Sequence, residues 1–149
     1  MRNAVLCLFA GILINMSGGV SGSQGGDSPR DVEVQGRVIC IDESREEIPC
    51  SDESTRFGFL TRSDERYFFM TSDSRAKMFQ DPRVRERELV VKGRLRPHNQ
   101  IEITKVWSVK SGQRLDIYYF CAVCNIKTHV GGLCWCCQED FELREEPIE

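Results

Sequence analysis

Asp31-Val32-Glu33-Val34-Gln35-Gly36-Arg37-Val38-Ile39-Cys40-Ile41 alternates polar and apolar residues on both sides of a single glycine. A period of two sends successive side chains to opposite faces, so the stretch predicts a strand with one half-buried face. Gly36 interrupts it and predicts a bulge or bend at that point. Downstream, Asp42–Ser54 is polar and holds Pro49 and Cys50, which predicts a loop. Thr55–Thr61 and Arg66–Thr71 read as two short strands joined by Arg62-Ser63-Asp64-Glu65. Tyr67, Phe68, Phe69 and Met70 supply the β-prone, core-forming part of that hairpin.

The period then changes. Ser72 or Asp73 can cap a short helix carrying Ala76, Met78 and Phe79, which Asp81-Pro82 should end. Glu88–Arg96 is a strand with a second interior glycine, Gly93, and Pro97-His98-Asn99-Gln100 turns it. Ile101–Val109 returns with Ile101, Ile103, Lys105 and Trp107 on one face and Glu102, Thr104, Val106 and Ser108 on the other. An inward Trp107 would be a large core side chain. Ser111-Gly112-Gln113 turns into a last strand at Leu115–Phe120.

The chain is therefore expected to be mainly all-β. Bent strand, hairpin, one short helix and second hairpin, over about Val32–Val109, resemble the OB-fold, a small five-stranded barrel with its helix between the third and fourth strands. Other small barrels share much of this pattern. Glycines at 36 and 93 suit the sharp bends that closing such a barrel demands.

The N-terminus reads differently. Arg2 followed by the uncharged apolar run Ala4–Ile14 and the small residues Ser17–Gly22 has the form of a signal peptide, residues 1–22. Eleven apolar residues fall short of the about 20 that span a bilayer, so no transmembrane segment is expected after cleavage, and the mature protein is expected to be exported, periplasmic or extracellular. Residues 23–30 read as a flexible tether, 31–110 as the barrel, and 111–149 as a cysteine-bearing segment with an acidic tail.

Cys121-Ala122-Val123-Cys124 and Cys134-Trp135-Cys136-Cys137 form C-x2-C-x9-C-x2-C. Each C-x2-C lets a tight turn aim two thiolates at one ion, and two such turns complete a tetrahedral site. Gly131-Gly132 can fold the intervening chain back. The pattern resembles a zinc ribbon or rubredoxin-type pair of knuckles, with Cys121, Cys124, Cys134 and Cys137 as ligands to zinc, and iron as the other ion that accepts four thiolates. Two disulfides are the rival use of these cysteines in an exported protein. Ile117, Tyr118, Tyr119, Phe120 and Trp135 are the residues expected to pack the knuckle onto the barrel. Cys136 is surplus: an alternative ligand, a reactive thiol, or a small residue beneath Trp135. Cys40 and Cys50 can tie the first loop as a disulfide or stand as separate thiols. His98 reads as a solvated turn residue and His129 as a weak substitute ligand.

Export signal, OB-like barrel and terminal four-cysteine knuckle together resemble a group of small exported bacterial proteins; Tyr118-Tyr119-Phe120-Cys121 and Cys134–Gln138 carry that resemblance most. It implies a fold and a metal site but no activity. The net charge is −3, and loss of residues 1–22 removes only Arg2, making the balance one charge more negative. That gives no electrostatic reason to expect a polyanion. Arg83, Arg85, Arg87, Lys92, Arg94 and Arg96 form the one basic candidate stripe, interrupted by Glu86 and Glu88. No nucleophile elbow, phosphate-binding glycine loop or paired acid and base is recognisable. The expected function is accordingly a non-enzymatic binding or structural module, engaging a protein partner or a small ligand. The rivals are a carrier of soft metals or a thiol-redox protein, then an OB-type nucleic-acid binder.

Overall fold

The computed structural model describes residues 29–51 and 53–148; the expected leader, 1–22, and most of the tether lie outside the described residues. Nine strands follow in order: β1 (Arg30–Ile41), β2 (Glu47–Ile48), β3 (Phe57–Thr61), β4 (Arg66–Phe69), β5 (Leu89–Arg96), β6 (Gln100–Lys110), β7 (Gln113–Cys121), β8 (Ile126–Thr128) and β9 (Glu142–Pro147). Between β4 and β5 lie a 3-10 segment, Ser74–Gln80, and a one-turn helix, α1, Pro82–Arg85.

Five strands close a ring, β1-β3-β4-β6-β5 and back to β1. Its pairs are antiparallel except β4 with β6. The fold is thus mainly β, with a five-strand ring, few helices and a C-terminal four-cysteine cluster, as the sequence pattern leads one to expect. Closure depends on β1 serving two neighbours. Its first half pairs with β5, its second half with β3, and Gly36 faces Leu89 on one side and Thr61 on the other. A β-carbon at Gly36 would collide with the Leu60 carbonyl oxygen, and one at Gly93 with that of Glu102. Both glycines stand where backbones approach too closely for any side chain.

The expected single short helix is two pieces. Asp73 accepts from the Arg75 N–H at 2.9 Å and caps the 3-10 segment, in agreement with its reading as a cap. Asp81-Pro82 does more than end this segment: Asp81 caps α1 through the Arg83 N–H at 2.9 Å, with Pro82 in its first turn, where proline lacks only an unneeded donor. The 3-10 segment drops Ala76, Met78 and Phe79 into the ring. Phe79 stacks on Phe69 at 4.8 Å between centroids and meets Phe57 edge-on at 6.2 Å. Burying each such ring contributes about 1.5–3 kcal/mol.

β6 departs from its expected alternation. Lys92 of β5 faces Lys105, but Gly93 faces Ile103, so Thr104 is an extra residue on β6. A bulge of one residue reverses the parity of everything beyond it. Ile101 and Ile103 point inward before it, Val106 and Ser108 after it. Trp107 therefore lies on the outer face, half-buried, with the Arg114 guanidinium 5.5 Å from its ring centroid.

β7 continues the sheet outward from β6 and carries β8 on one edge and β9 on the other. Glu142–Pro147, an acidic stretch by composition, becomes β9 because Leu143 sits opposite Tyr119 and Glu145 meets Arg87 in a two-pronged ion pair, 2.7 and 3.0 Å. Ile117, Tyr119, Cys121, Cys134 and Phe141 belong to the same buried cluster as the ring's phenylalanines.

Candidate metal centre

The first arm grows directly from a strand. Cys121 ends β7, and its thiol, 1% exposed, points into the core. The Cys124 N–H donates to Cys121 Sγ at 3.4 Å and closes the tight turn between the two cysteines. Asn125 then takes a left-handed conformation, φ 55°, and turns the chain into β8; asparagine tolerates this better than most residues.

The second arm is built on the same plan. Gly132, at φ 105°, admits the turn into it. Phe141 N–H to the Gly132 carbonyl, 2.9 Å, and Cys134 N–H to the Glu139 carbonyl, 2.8 Å, close the loop at its base. Gln138, at φ 65°, follows Cys137 as Asn125 follows Cys124. Each C-x2-C is thus trailed by one left-handed residue that sends the chain away from the sulfurs.

The arms bring Cys121, Cys124, Cys134 and Cys137 together with all four Sγ atoms within 4.8 Å of one another. Cys121 and Cys137 are 3.4 Å apart. A tetrahedral ion with metal–sulfur bonds of about 2.3 Å requires sulfurs about 3.8 Å apart, which this set spans. The four are arranged as if to hold a metal ion, and the expected ligand positions all converge. Backbone N–H groups of Cys137 and then Cys136 stabilise the Cys134 thiolate against its burial and bring its pKa down to about 7. The neighbouring sulfur of Cys136, then that of Cys137, holds the Cys124 thiol protonated well above its ordinary range.

Several expected roles come out differently. Trp135 does not pack the knuckle onto the ring; it is 65% exposed and leans over Phe141 at 5.5 Å between centroids. Tyr118, 4% exposed, and Phe120 lie outside the main core cluster, covered by Lys127 and Arg144 at 3.5 and 4.1 Å from the ring centroids. Cys136 is not a filler beneath Trp135 but an exposed thiol outside the four-sulfur group. His129 stands outside the four-sulfur group; burial and then Arg75 hold its pKa below the ordinary histidine range. His98 lies in the turn after β5 at φ 61°. Cys40 and Cys50 form a disulfide, Cα–Cα 5.2 Å, across the first loop. What sequence reading missed is the backbone support: Asn125 and Gln138 are single polar residues whose left-handed turns only the folded chain discloses.

No known protein family, curated protein or solved structure matches this chain.

Proposed function

We propose that this chain is an exported, non-enzymatic binding or structural module in which zinc, held by Cys121, Cys124, Cys134 and Cys137, fastens the C-terminal arms to an OB-like ring. The observation that carries this is the convergence of four thiols, and among the described residues of no other ligand type, within 4.8 Å. Four thiolates fill a tetrahedral sphere, whereas a catalytic zinc keeps one position for water. Zinc is favoured over iron because it has no redox chemistry of its own and the same chain carries a disulfide, the mark of an oxidising compartment. That disulfide and the leader-like residues 1–22 together support export.

A polyanion is a poor partner for this surface. Arg83, Arg87 and Arg96 of the basic stripe are engaged by Asp81, Glu145 and Glu102, and Arg85 donates to the Phe79 and Gln80 carbonyls. A protein or small ligand meets a better-matched surface at the loop beside β3 and β4, where Arg45 covers Phe68 at 4.8 Å. The rival reading, a carrier of soft metals, draws on the exposed fifth thiol, Cys136.

Metal analysis with thiol counting tests the proposal. With residues 1–22 removed, the protein should hold one zinc per chain and offer one freely reactive thiol, Cys136; denaturation with a chelator should release the metal and expose the five free cysteines of the described residues. Metal-free protein with additional disulfides among the five would overturn it.

A further inference from the structure

The 3-10 segment does not seal the end of the ring it covers. Asp73 ties the start of the segment to β6, its carboxylate accepting from the Arg75 N–H at 2.9 Å and the Ile103 N–H at 2.7 Å. Ala76, the smallest of the three side chains the segment buries, follows. A cavity of about 240 Å³ is left between Ala76 and the adjoining ends of β3 and β4. Its apolar lining is Phe57, Phe69 and Ala76, which keep 4%, 7% and 8% of their surface exposed. Phe69 is held by Phe79, stacked at 4.8 Å, and by Phe59, edge-on at 6.1 Å, so binding need not order it. The rim is polar and exposed: Arg56, Thr71, Lys77 and Gln80. The one acid on the cavity wall, Asp73, has both oxygens taken by backbone donors. Arg56 meets Glu43 at 3.2 Å, but the Glu43 side chain is 89% exposed, and a pair so open to water constrains the arginine weakly. Lys77 has no ion-pair partner among the described residues.

We propose that this cavity binds a small carboxylic acid, its aromatic or aliphatic body against Phe57, Phe69 and Ala76 and its carboxylate at Lys77. The inference rests on the reading of the chain as a binding module and needs no ion at the four cysteines. Pockets for drug-sized molecules run from about 300 to 1,000 Å³. At about 240 Å³ this one fits a single ring or a short chain with its head group. An apolar floor beneath a cationic rim matches a molecule that is apolar at one end and anionic at the other. Lysine suits the anionic end, because its flexible stem carries a point charge that follows the head group. Arg56 supplies a second cation on the same rim. A neutral ligand leaves Lys77 unmet, and a cationic one is repelled. Two sources share the required chemistry: a free acid, and the C-terminus of a peptide whose last side chain enters the cavity. Past Lys77 and Gln80, which line both spaces, a second hollow of about 270 Å³ runs to Tyr119 and Gly131. The remainder of such a peptide has room there.

The test uses the chain without residues 1–22 and para-fluorophenylacetate as the probe, followed by fluorine and amide NMR. The probe should saturate with a Kd on the order of 1 mM. The amide signals of Thr71, Ala76 and Lys77 should move, and those of residues 121–137 should stay in place. Para-fluorophenylacetamide, the same shape without the charge, should bind about tenfold more weakly, and so should the acid to Lys77→Gln. Lys77→Arg should restore most of the affinity. Lys77 is exposed, so both variants should keep the wild-type denaturation midpoint. N-acetyl-alanyl-phenylalanine separates the two sources: tighter binding than the probe assigns the cavity to peptide C-termini, weaker binding to free acids, and either outcome keeps the carboxylate site. No saturation, signals that move only elsewhere in the fold, equal affinity for acid and amide, or unchanged affinity in Lys77→Gln would each overturn it. None of these results alters the zinc and thiol counts, which test the metal centre separately.

Discussion

Tyr119 donates its hydroxyl hydrogen to Asp81 Oδ2 at 2.9 Å, joining the strand that ends in Cys121 to the residue that begins α1. Burial first, and then this bond, hold the Tyr119 phenol well above its ordinary pKa, so it remains a donor. The ring of Tyr119 is 1% exposed and also lies beneath Gly131 of the linker between the two arms. Tyr119→Phe keeps the packing and deletes only the hydroxyl. It should cost about 1.5–3 kcal/mol, as for a hydrogen bond to a charged acceptor, read as a shift in denaturant midpoint. A cost below about 0.3 kcal/mol would mean that the bond merely replaces water.

Acid should weaken the protein through three carboxylates whose folded pKa values lie below their ordinary range. Burial opposes ionisation of Asp81, but hydrogen bonds from Arg83 and Tyr119 outweigh it. Burial opposes it at Asp116 too, and Lys105 and Lys127 prevail. Arg87 lowers Glu145. A depressed folded pKa contributes stability that is complete above the unfolded value, about 4, and drains away as pH falls through the folded value. The urea midpoint should hold from pH 7 to about 5 and decline below about 4, less steeply in Asp116→Asn. A midpoint that rises on acidification contradicts the assignment.

Gly36→Ala should be among the most damaging single-methyl additions in the ring. The new carbon meets the Leu60 carbonyl, part of a backbone that is itself locked between β1 and β4. Neither neighbour can yield without opening a pair of strands, so a loss of about 1–3 kcal/mol or more is expected. Gly112→Ala provides the control for crowding, since nothing lies within 4 Å of a β-carbon there; its own cost comes from its positive φ of 78°.

Trp107→Ala and Ile103→Ala should reverse the order that side-chain size suggests. Ile103, 2% exposed, is core, and its truncation should cost about 2–5 kcal/mol. Trp107 loses a half-exposed ring and one cation contact, a matter of about 1 kcal/mol. Thermal or chemical denaturation of the two variants side by side decides; the larger loss at Trp107 would place it inward after all.

That pair also marks the boundary of what the chain discloses unaided. Strands such as Asp31–Ile41 announce themselves because alternation is local, and the knuckles do so because two residues between cysteines is a local constraint. The bulge at Thr104 is not local. It exists because Gly93 opposite it admits a closer approach, and the sequence of β6 alone shows unbroken alternation. β9 is hidden for a related reason. Glu142, Glu145 and Glu146 look like solvated charge until Arg144 lies over Phe120 and Arg87 reaches Glu145, partners 24 and 58 residues away. The four converging cysteines were legible; the exposure of Cys136 was not, because its side depends on which way the second arm curls.

Among the described residues one oxidised cysteine pair and five free thiols stand in the same fold at once. Such a molecule has a manufacturing order. Cys121 and Cys137, 3.4 Å apart, have only to lose two electrons and two protons to become cross-linked, so the proposed ion and an oxidant would compete for the same sulfurs. A chain matured in oxidant before it meets metal commits those sulfurs to bonds that exclude the ion; one kept wholly reduced leaves Cys40 and Cys50 open and its first loop untied. If the cluster holds an ion, as proposed, homogeneous protein comes from supplying the metal first and the oxidant second, with the ion acting as a protecting group for the cysteines that must not pair.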